Sequence, residues 1–154
     1  MKPNFGLSQE QIEHLSKELY RLLSNTFALY VATLSSHWNI EDPRFYSLHK
    51  MLEKQYEALA ENCDVIAERI RMMGKKVSAS LKKFENASEM EDIEEIITSD
   101  QMLERLAVSH EKLIKDIREL SQIAEEYGDA GLTDMLGTLV RFHEKTTWFI
   151  RSHL

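Results

Sequence analysis

The chain has 154 residues, 43% of them hydrophobic, with 26 acidic and 19 basic residues and a formal net charge of −7. This length fits one domain, residues 1–154, with a substantial core. The acidic balance argues against an intrinsic affinity for nucleic acid, because duplex binding depends on Lys and Arg side chains that neutralise phosphates.

The first predicted helix covers about residues 9–36. Ser8 and Gln11 form a capping box at its start, in which each side chain accepts a hydrogen bond from the backbone N–H of the other residue. Apolar residues then recur every three or four positions, as they do on one face of a helix. They are Ile12, Leu15, Leu19, Leu22, Leu23, Phe27, Tyr30 and Leu34.

The second predicted helix covers about residues 43–73. Pro43 suits the first turn of a helix, and Gly74 is placed to end it. One apolar stripe runs along this helix: Leu48, Leu52, Leu59, Cys63, Ile66 and Ile70. Because Cys63 belongs to the stripe, it is expected to be a small buried hydrophobic side chain.

The rest of the chain is predicted to be helical as well. Residues 75–98 are expected to form a long connection that carries a short helix near residues 90–97. Two further long helices follow, at about residues 99–127 and 132–152, with Gly128 after the first of them. The prediction is thus an all-α bundle of four long helices with one long crossover.

The amino-acid content also bears on cellular location. The single Cys63 excludes an internal disulfide bond, which agrees with a reducing compartment. No signal-peptide pattern is found, and no apolar run approaches the roughly 18 residues that a membrane-spanning helix needs. We therefore expect a cytoplasmic protein without a membrane segment.

Two histidines and three acidic residues have a spacing that suggests a metal site. His49 and Glu53 are four residues apart, as are Asp64 and Glu68, so each pair shares a local helix face and can point at one ion. His37 lies twelve residues before His49. Imidazoles and carboxylates together suit iron. The other four histidines have no comparable partners and are expected to be surface or core residues: His14, His110, His143 and His153.

The two pairs cannot bind the same ion within one chain. His49 and Asp64 are 15 residues apart, which corresponds to roughly 22 Å along a helix. Two copies of the helix lying antiparallel across a two-fold axis near residues 56–59 would bring the His49 pair of one chain beside the Asp64 pair of the other. Because such a contact repeats every pairing, two equivalent sites per dimer would follow.

These residues resemble those of the Dps family of ferritin-like proteins, also called miniferritins. The resemblance is carried by the segments LSSHWN at 34–39, FYSLH at 45–49 and DVIAERI at 64–70, and it extends to HEK at 143–145 and to Trp148. It implies a ferritin-like four-helix subunit, a hollow dodecamer and a ferroxidase centre at the two-fold dimer interface.

The resemblance also implies a function. Members of this family oxidise Fe(II), usually with hydrogen peroxide, and store ferric mineral in the cavity, which protects against oxidative stress. Four residues would be the catalytic iron ligands: His37, His49, Asp64 and Glu68. Glu53 would bind or bridge iron on the histidine side. Whether peroxide or oxygen is the preferred oxidant stays open.

Three further residues take an expected role from the family. A tryptophan at the position of Trp38 lies close to the iron, and we expect it both to pack in the core and to form a wall of the site. Aspartates near the start of the last helix line a three-fold pore that admits iron. Asp134 matches that position better than Asp129, and an ordinary helix-start acid is the alternative for both. Trp148 is expected to be a packing residue.

Two alternative functions are weighed against this one. A di-iron oxygenase or true ferritin, with its site inside one bundle, needs Glu-x-x-His pairs, and none of the six histidines has a glutamate three positions before it. A DNA-compacting structural protein would have a Lys/Arg-rich tail, which is not found, so direct DNA binding is not expected. Lys50 and Lys54 occupy positions where some members carry acids that help to nucleate mineral, so that nucleation site is not carried over.

Overall fold

The computed structural model describes residues 4–91 and 98–154, and five helices account for most of them. They are α1 (Gln9–Asn39), α2 (Phe45–Met72), α3 (Leu81–Ala87), α4 (Ser99–Glu126) and α5 (Ala130–Arg151). No strand occurs in these two ranges, so the predicted all-α fold with four long helices is confirmed. None of the helices described has an apolar stretch sufficient to cross a bilayer.

Local side-chain and backbone chemistry sets the helix ends. At the start of α1, Ser8 and Gln11 make both hydrogen bonds of the predicted capping box. Gly74 and Gly128 follow α2 and α4 with φ angles of 82° and 72°. Glycine adopts this left-handed conformation without a steric penalty, which is why both helices stop where the sequence predicts.

Helix α2 begins two residues later than predicted. The carboxylate of Asp42 accepts a hydrogen bond from the N–H of Arg44, and its carbonyl oxygen accepts one from the N–H of Phe45. These bonds form a turn ahead of the helix. Pro43 therefore lies in that turn, where its fixed φ is equally suitable, and not in the first helical turn.

The described part of the connection between α2 and α4 contains a short helix that lies earlier than the predicted one. Helix α3 spans Leu81–Ala87, and the two residues before position 92 are not helical. Residues 92–97, where most of the predicted short helix falls, lie outside the described residues. Phe84 is the buried residue of α3, and its ring centroid is 4.7 Å from that of Phe27 in α1. This contact attaches α3 to α1.

The core consists mainly of leucine and isoleucine side chains from one face of each long helix. Helix α1 packs against α2 and α4, and α4 packs against α5, whereas α2 and α5 touch each other much less. The fully buried side chains include Leu15, Leu19, Leu29, Leu48, Leu52, Leu59, Ile66, Ile70, Leu103, Leu106, Leu113 and Ile117. Burial of this apolar surface is the main force that holds the bundle together.

Candidate metal centre

His37 and His49 form a reciprocal pair where the end of α1 meets the start of α2. Nδ1 of His37 lies 3.0 Å from the carbonyl oxygen of His49, and Nδ1 of His49 lies 3.0 Å from the carbonyl oxygen of His37. Because a carbonyl oxygen can only accept, each Nδ1 carries the proton and donates it. In the neutral form of each ring, Nε2 then has a free lone pair, as a metal-binding histidine requires.

Both imidazole rings are also held by packing. The two rings stack with their centroids 3.8 Å apart, and Phe45 stacks on His49 at 4.8 Å. Tyr56 meets His37 edge-on at 5.1 Å. His37 is buried and His49 is half-buried. The two rings are thus positioned before any ligand arrives, which limits the entropy lost on binding.

Glu53 lies one helical turn after His49 and forms an ion pair with Lys50. Nζ of Lys50 donates a hydrogen bond to Oε2 of Glu53 at 2.6 Å. This bond holds the pKa of Glu53 below its ordinary value against an opposing effect of desolvation, and the nearby His37 and His49 act in the same direction as Lys50. Glu53 is therefore ionised at neutral pH and lies close to the two histidines.

Asp64 and Glu68 lie far along the same helix, on its exposed surface. Since α2 runs without a break from Phe45 to Met72, the separation of His49 from Asp64 is roughly 22 Å. In the described part of the chain, no three His, Cys, Asp or Glu side chains converge on a point where one subunit could hold a metal. The structure thus brings the histidines and Glu53 near each other and leaves the other two acids apart from them.

The structure contradicts one of the two roles predicted for Trp38. Its side chain is 69% exposed, so it does not pack in the core of the subunit. The reason is helical geometry: at this last turn of α1 the buried face is occupied by Ser36 and His37. The role of Trp38 as a wall of the metal site stays a prediction.

The two aspartates at the start of α5 lie in different environments. Asp129 is the N-cap of α5, and its Oδ1 accepts a hydrogen bond from the N–H of Leu132 at 3.0 Å. Both of its carboxylate oxygens also accept from Nη2 of Arg69, at 2.6 and 2.5 Å, and the residue is 9% exposed. The charge of Asp129 is thus compensated inside the subunit. Asp134 is exposed, as a pore-lining residue would have to be.

His110 and His143 form a second histidine pair, buried between α4 and α5. Their Nδ1 atoms are 2.7 Å apart, and the residues are 0% and 1% exposed. Burial lowers the pKa of His143 to about 3, and burial together with the neighbouring His143 lowers the pKa of His110 well below its ordinary value. Both are core residues, one of the two environments expected. Their mutual contact was not predicted, because helical spacing assigns a residue to a face but not to a partner on another helix.

The remaining histidines and the cysteine also have structural partners. Nδ1 of His14 lies 2.8 Å from the hydroxyl of Tyr127, and Nδ1 of His153 donates to the carbonyl oxygen of Phe149 at 2.8 Å. Cys63 packs half-buried against the core, and burial raises the pKa of its thiol to about 12. A thiol that stays protonated is a poor metal ligand, so its predicted role as a packing residue agrees with its environment.

Comparisons with known proteins place the chain among ferritin-like proteins. The profile of the Ferritin-like domain family matches residues 16–154. An uncharacterized low temperature-induced protein of Nostoc sp. is 34% identical over 98% of this chain and 86% of its own. DNA protection during starvation protein 2 of Bacillus anthracis is 26% identical over 96% of this chain and 99% of its own. The crystal structure of a Dps protein from Vibrio cholerae O1, described as a member of a broad superfamily of ferritin-like diiron-carboxylate proteins, is 27% identical. It matches with a TM-score of 0.92 over 99% of this chain and 96% of its own.

Proposed function

This chain belongs to the Dps family of ferritin-like proteins, and we propose that it oxidises Fe(II) at centres shared between two subunits and stores the ferric product. The ferritin-like four-helix fold implied by the sequence is confirmed. The observation that carries the functional proposal is the reciprocal hydrogen bonding of His37 and His49. It orients two adjacent imidazoles with both Nε2 lone pairs free, which is a nitrogen half-site suited to a transition metal. The diiron-carboxylate description of the Vibrio cholerae relative supports iron as that metal.

The carboxylate half of the centre would come from a second subunit. Asp64 and Glu68 are exposed and one turn apart on α2, far from the histidines of the same chain. Burying such carboxylates unpaired in a subunit contact would cost several kcal/mol per charge. Fe(II) bound between them and the histidine pair of the other subunit would neutralise that charge. A two-fold axis would create two such centres per dimer.

Exposed apolar side chains next to the candidate ligands support a subunit contact there. Trp38 directly follows His37 and is 69% exposed, and Val65 directly follows Asp64 and is 43% exposed. Tyr46, at the start of α2, is 76% exposed. Covering these exposed apolar side chains would favour a subunit contact on this side of the molecule. The same two helices would therefore supply both the ligands and the interface.

Hydrogen peroxide as oxidant would give a balanced two-electron reaction. Two Fe(II) ions lose one electron each, the O–O bond of one peroxide breaks, and two protons are taken up to give two Fe(III) ions and two waters. No hydroxyl radical is left, which would protect the cytoplasm against oxidative stress. Glu53 would exchange Lys50 for iron on the histidine side, and Fe(II) would enter through three-fold pores lined by Asp134. The ferric product would then collect as mineral inside a hollow dodecamer.

The oxidation itself can be tested with the metal-free assembled protein. Fe(II) is mixed with peroxide in one series and with dissolved oxygen in another, and the rate of Fe(III) formation is followed by absorbance. We expect faster oxidation with peroxide, a consumption of two Fe(II) per peroxide, and little hydroxyl radical in a spin-trapping assay. A rate no higher than that of the buffer with either oxidant would contradict the proposal.

The sharing of ligands can be tested separately with mixed assemblies. His37→Ala and Asp64→Asn should each weaken Fe(II) binding when present alone. In a dimer that pairs the two variants, one site loses ligands from both sides while the other keeps all of its ligands, so half of the binding should return. Glu61→Gln, which removes another exposed acid of α2, is the control and should bind as the parent does. No recovery in the mixed dimers would exclude an intersubunit site.

A further inference from the structure

A groove of about 620 Å³ lies between α2 and α5, and the proposed iron centre does not account for it. It exists because α2 packs mainly on α1 and α5 mainly on α4, which leaves the two helices with little direct contact. Met51 and Phe142 contribute apolar surface to its lining, and Trp148 and Phe149 contribute aromatic surface. Its volume falls within the range of about 300–1,000 Å³ that is typical of small-molecule sites.

The lining of this groove is basic although the chain is acidic overall. It includes Lys50, Lys54 and Lys145, and none of the described residues that line it is Asp or Glu. The charge of Lys50 is balanced by its ion pair with Glu53. Within the described part of the chain, neither Lys54 nor Lys145 forms an ion pair with a carboxylate. The groove therefore has two ammonium groups whose charge an anion such as phosphate could neutralise.

Aromatic rings are exposed at the same groove. Trp148 is 65% exposed and Phe149 is 39% exposed, and their ring centroids are 5.0 Å apart. The expectation that Trp148 is a packing residue is wrong for the subunit. Thr146 and Ile150 lie on the buried face of α5, and Trp148, two residues from each of them, lies on the other side of the helix. An accessible indole face binds planar ring systems by stacking, and nucleobases are good partners for it.

We propose that this groove binds a mononucleotide, that is, a planar heteroaromatic ring that carries a phosphate group. The ring stacks on Trp148 beside the apolar lining from Met51, and the phosphate is held by Lys54 and Lys145. Nζ of Lys145 lies 5.6 Å from the ring centroid of Phe149, but this contact supplies no negative charge. Inorganic phosphate alone would leave Trp148 without a stacking partner, and an uncharged ring would leave both lysines without a counter-charge. None of these residues is a candidate iron ligand, so the site can be studied without iron.

Flavin mononucleotide is a suitable probe, because its fluorescence is quenched when the flavin stacks on an indole. Titration of the metal-free assembled protein into flavin mononucleotide should give saturable quenching, and adenosine monophosphate should reverse it. Riboflavin has the same ring without phosphate and should bind about tenfold more weakly, as expected for the loss of charge-assisted hydrogen bonds. Equilibrium dialysis measures the same affinities independently of fluorescence.

Three variants distinguish this groove from other places on the surface. Trp148→Leu and the double variant Lys54→Gln/Lys145→Gln should each weaken binding about tenfold. Lys115→Gln removes an exposed lysine of α4 and should bind as the parent does. Size-exclusion chromatography shows whether each variant assembles. If a variant fails to assemble, the single variant Lys54→Gln is measured in its place, because Lys54 is exposed and its substitution should not disturb the fold.

Several outcomes would overturn the proposal. No binding of either nucleotide at millimolar concentration would exclude the site. Unchanged binding in the tryptophan or lysine variants would put the nucleotide elsewhere on the protein. Riboflavin that binds as tightly as flavin mononucleotide would remove the role of the phosphate. Because no arm of the experiment contains iron, a negative result leaves the proposed ferroxidase function untouched.

Discussion

Acid should destabilise the subunit through the buried pair of His110 and His143. Burial keeps the pKa of His143 at about 3, whereas its ordinary value is 6.5. Between these two pH values the unfolded chain takes up a proton that the folded chain does not, so the free energy of unfolding falls as the pH falls. Above about pH 6.5 the imidazoles are neutral in both states, and the effect disappears.

The size of the effect follows from the shift in pKa. A difference of one unit between the folded and unfolded states corresponds to about 1.4 kcal/mol. At pH 5, His143 alone should therefore lower the free energy of unfolding by roughly 2 kcal/mol relative to neutral pH. His110, whose pKa is also lowered, acts in the same direction. For a domain with ordinary stability this is a large part of the total.

The test compares the parent with the double variant His110→Leu/His143→Leu. Removing both imidazoles leaves no hydrogen-bonding partner orphaned, and leucine has a similar volume. Urea unfolding is followed by circular dichroism at one protein concentration between about pH 7 and pH 5, where the parent should lose at least about 2 kcal/mol more than the variant, because His110 adds to the effect of His143. All other titrating groups are common to both proteins, so their contributions cancel. Parallel pH profiles would refute the idea that the pair stays neutral in the folded state.

Three other predictions concern charges. Asp134→Asn should slow Fe(II) oxidation in stopped-flow measurements, most strongly at low salt where screening is weakest, and should leave the final amount of bound iron unchanged. Equal rates at every salt concentration would make Asp134 an ordinary helix-start acid. Asp129→Ala should lower the free energy of unfolding by about 3 kcal/mol, because it removes the N-cap of α5 and leaves Arg69 unpaired, whereas Asp134→Ala should change it by no more than about 0.5 kcal/mol. With a net charge of −7, the assembled protein should not retard duplex DNA in a gel at physiological salt, and a salt-sensitive shift would reveal a basic surface that binds phosphates.

The long helices could be predicted because their signals are local. The capping box at Ser8 and the positive φ angles at Gly74 and Gly128 depend on a few neighbouring residues. Helix α3 has no such signal. It has seven residues with one buried side chain, Phe84, and a helix so short is stable only through tertiary packing, here against Phe27. Its position therefore depends on a contact that the local sequence does not encode.

At the candidate metal centre, the sequence predicts which residues share a helix face but not the contacts that they make. Periodicity assigns Glu53 to the same side of α2 as His49. The reciprocal hydrogen bonds of His37 and His49 depend on how the chain turns between α1 and α2, which spacing does not describe. The sequence likewise does not distinguish the environments of Asp129 and Asp134, because the partner of Asp129 is Arg69, sixty residues earlier in the chain.

The two histidine pairs show that hydrogen bonding, and not residue type, separates candidate ligands from core residues. His37 and His49 each donate Nδ1–H to a main-chain carbonyl, which leaves both Nε2 lone pairs free. The Nδ1 atoms of His110 and His143 face each other, so one donates and the other accepts. The buried Nε2 of His110 has no hydrogen-bond partner among the described residues. An unpaired buried N–H costs more than an unpaired lone pair, so His110 is the donor through Nδ1. The Nδ1 lone pair of His143 is therefore already used within the core.

It follows that His110→Leu/His143→Leu should leave Fe(II) oxidation unchanged, whereas His37→Ala should weaken Fe(II) binding. Loss of oxidation in a folded, assembled double variant would contradict this division between the two histidine pairs.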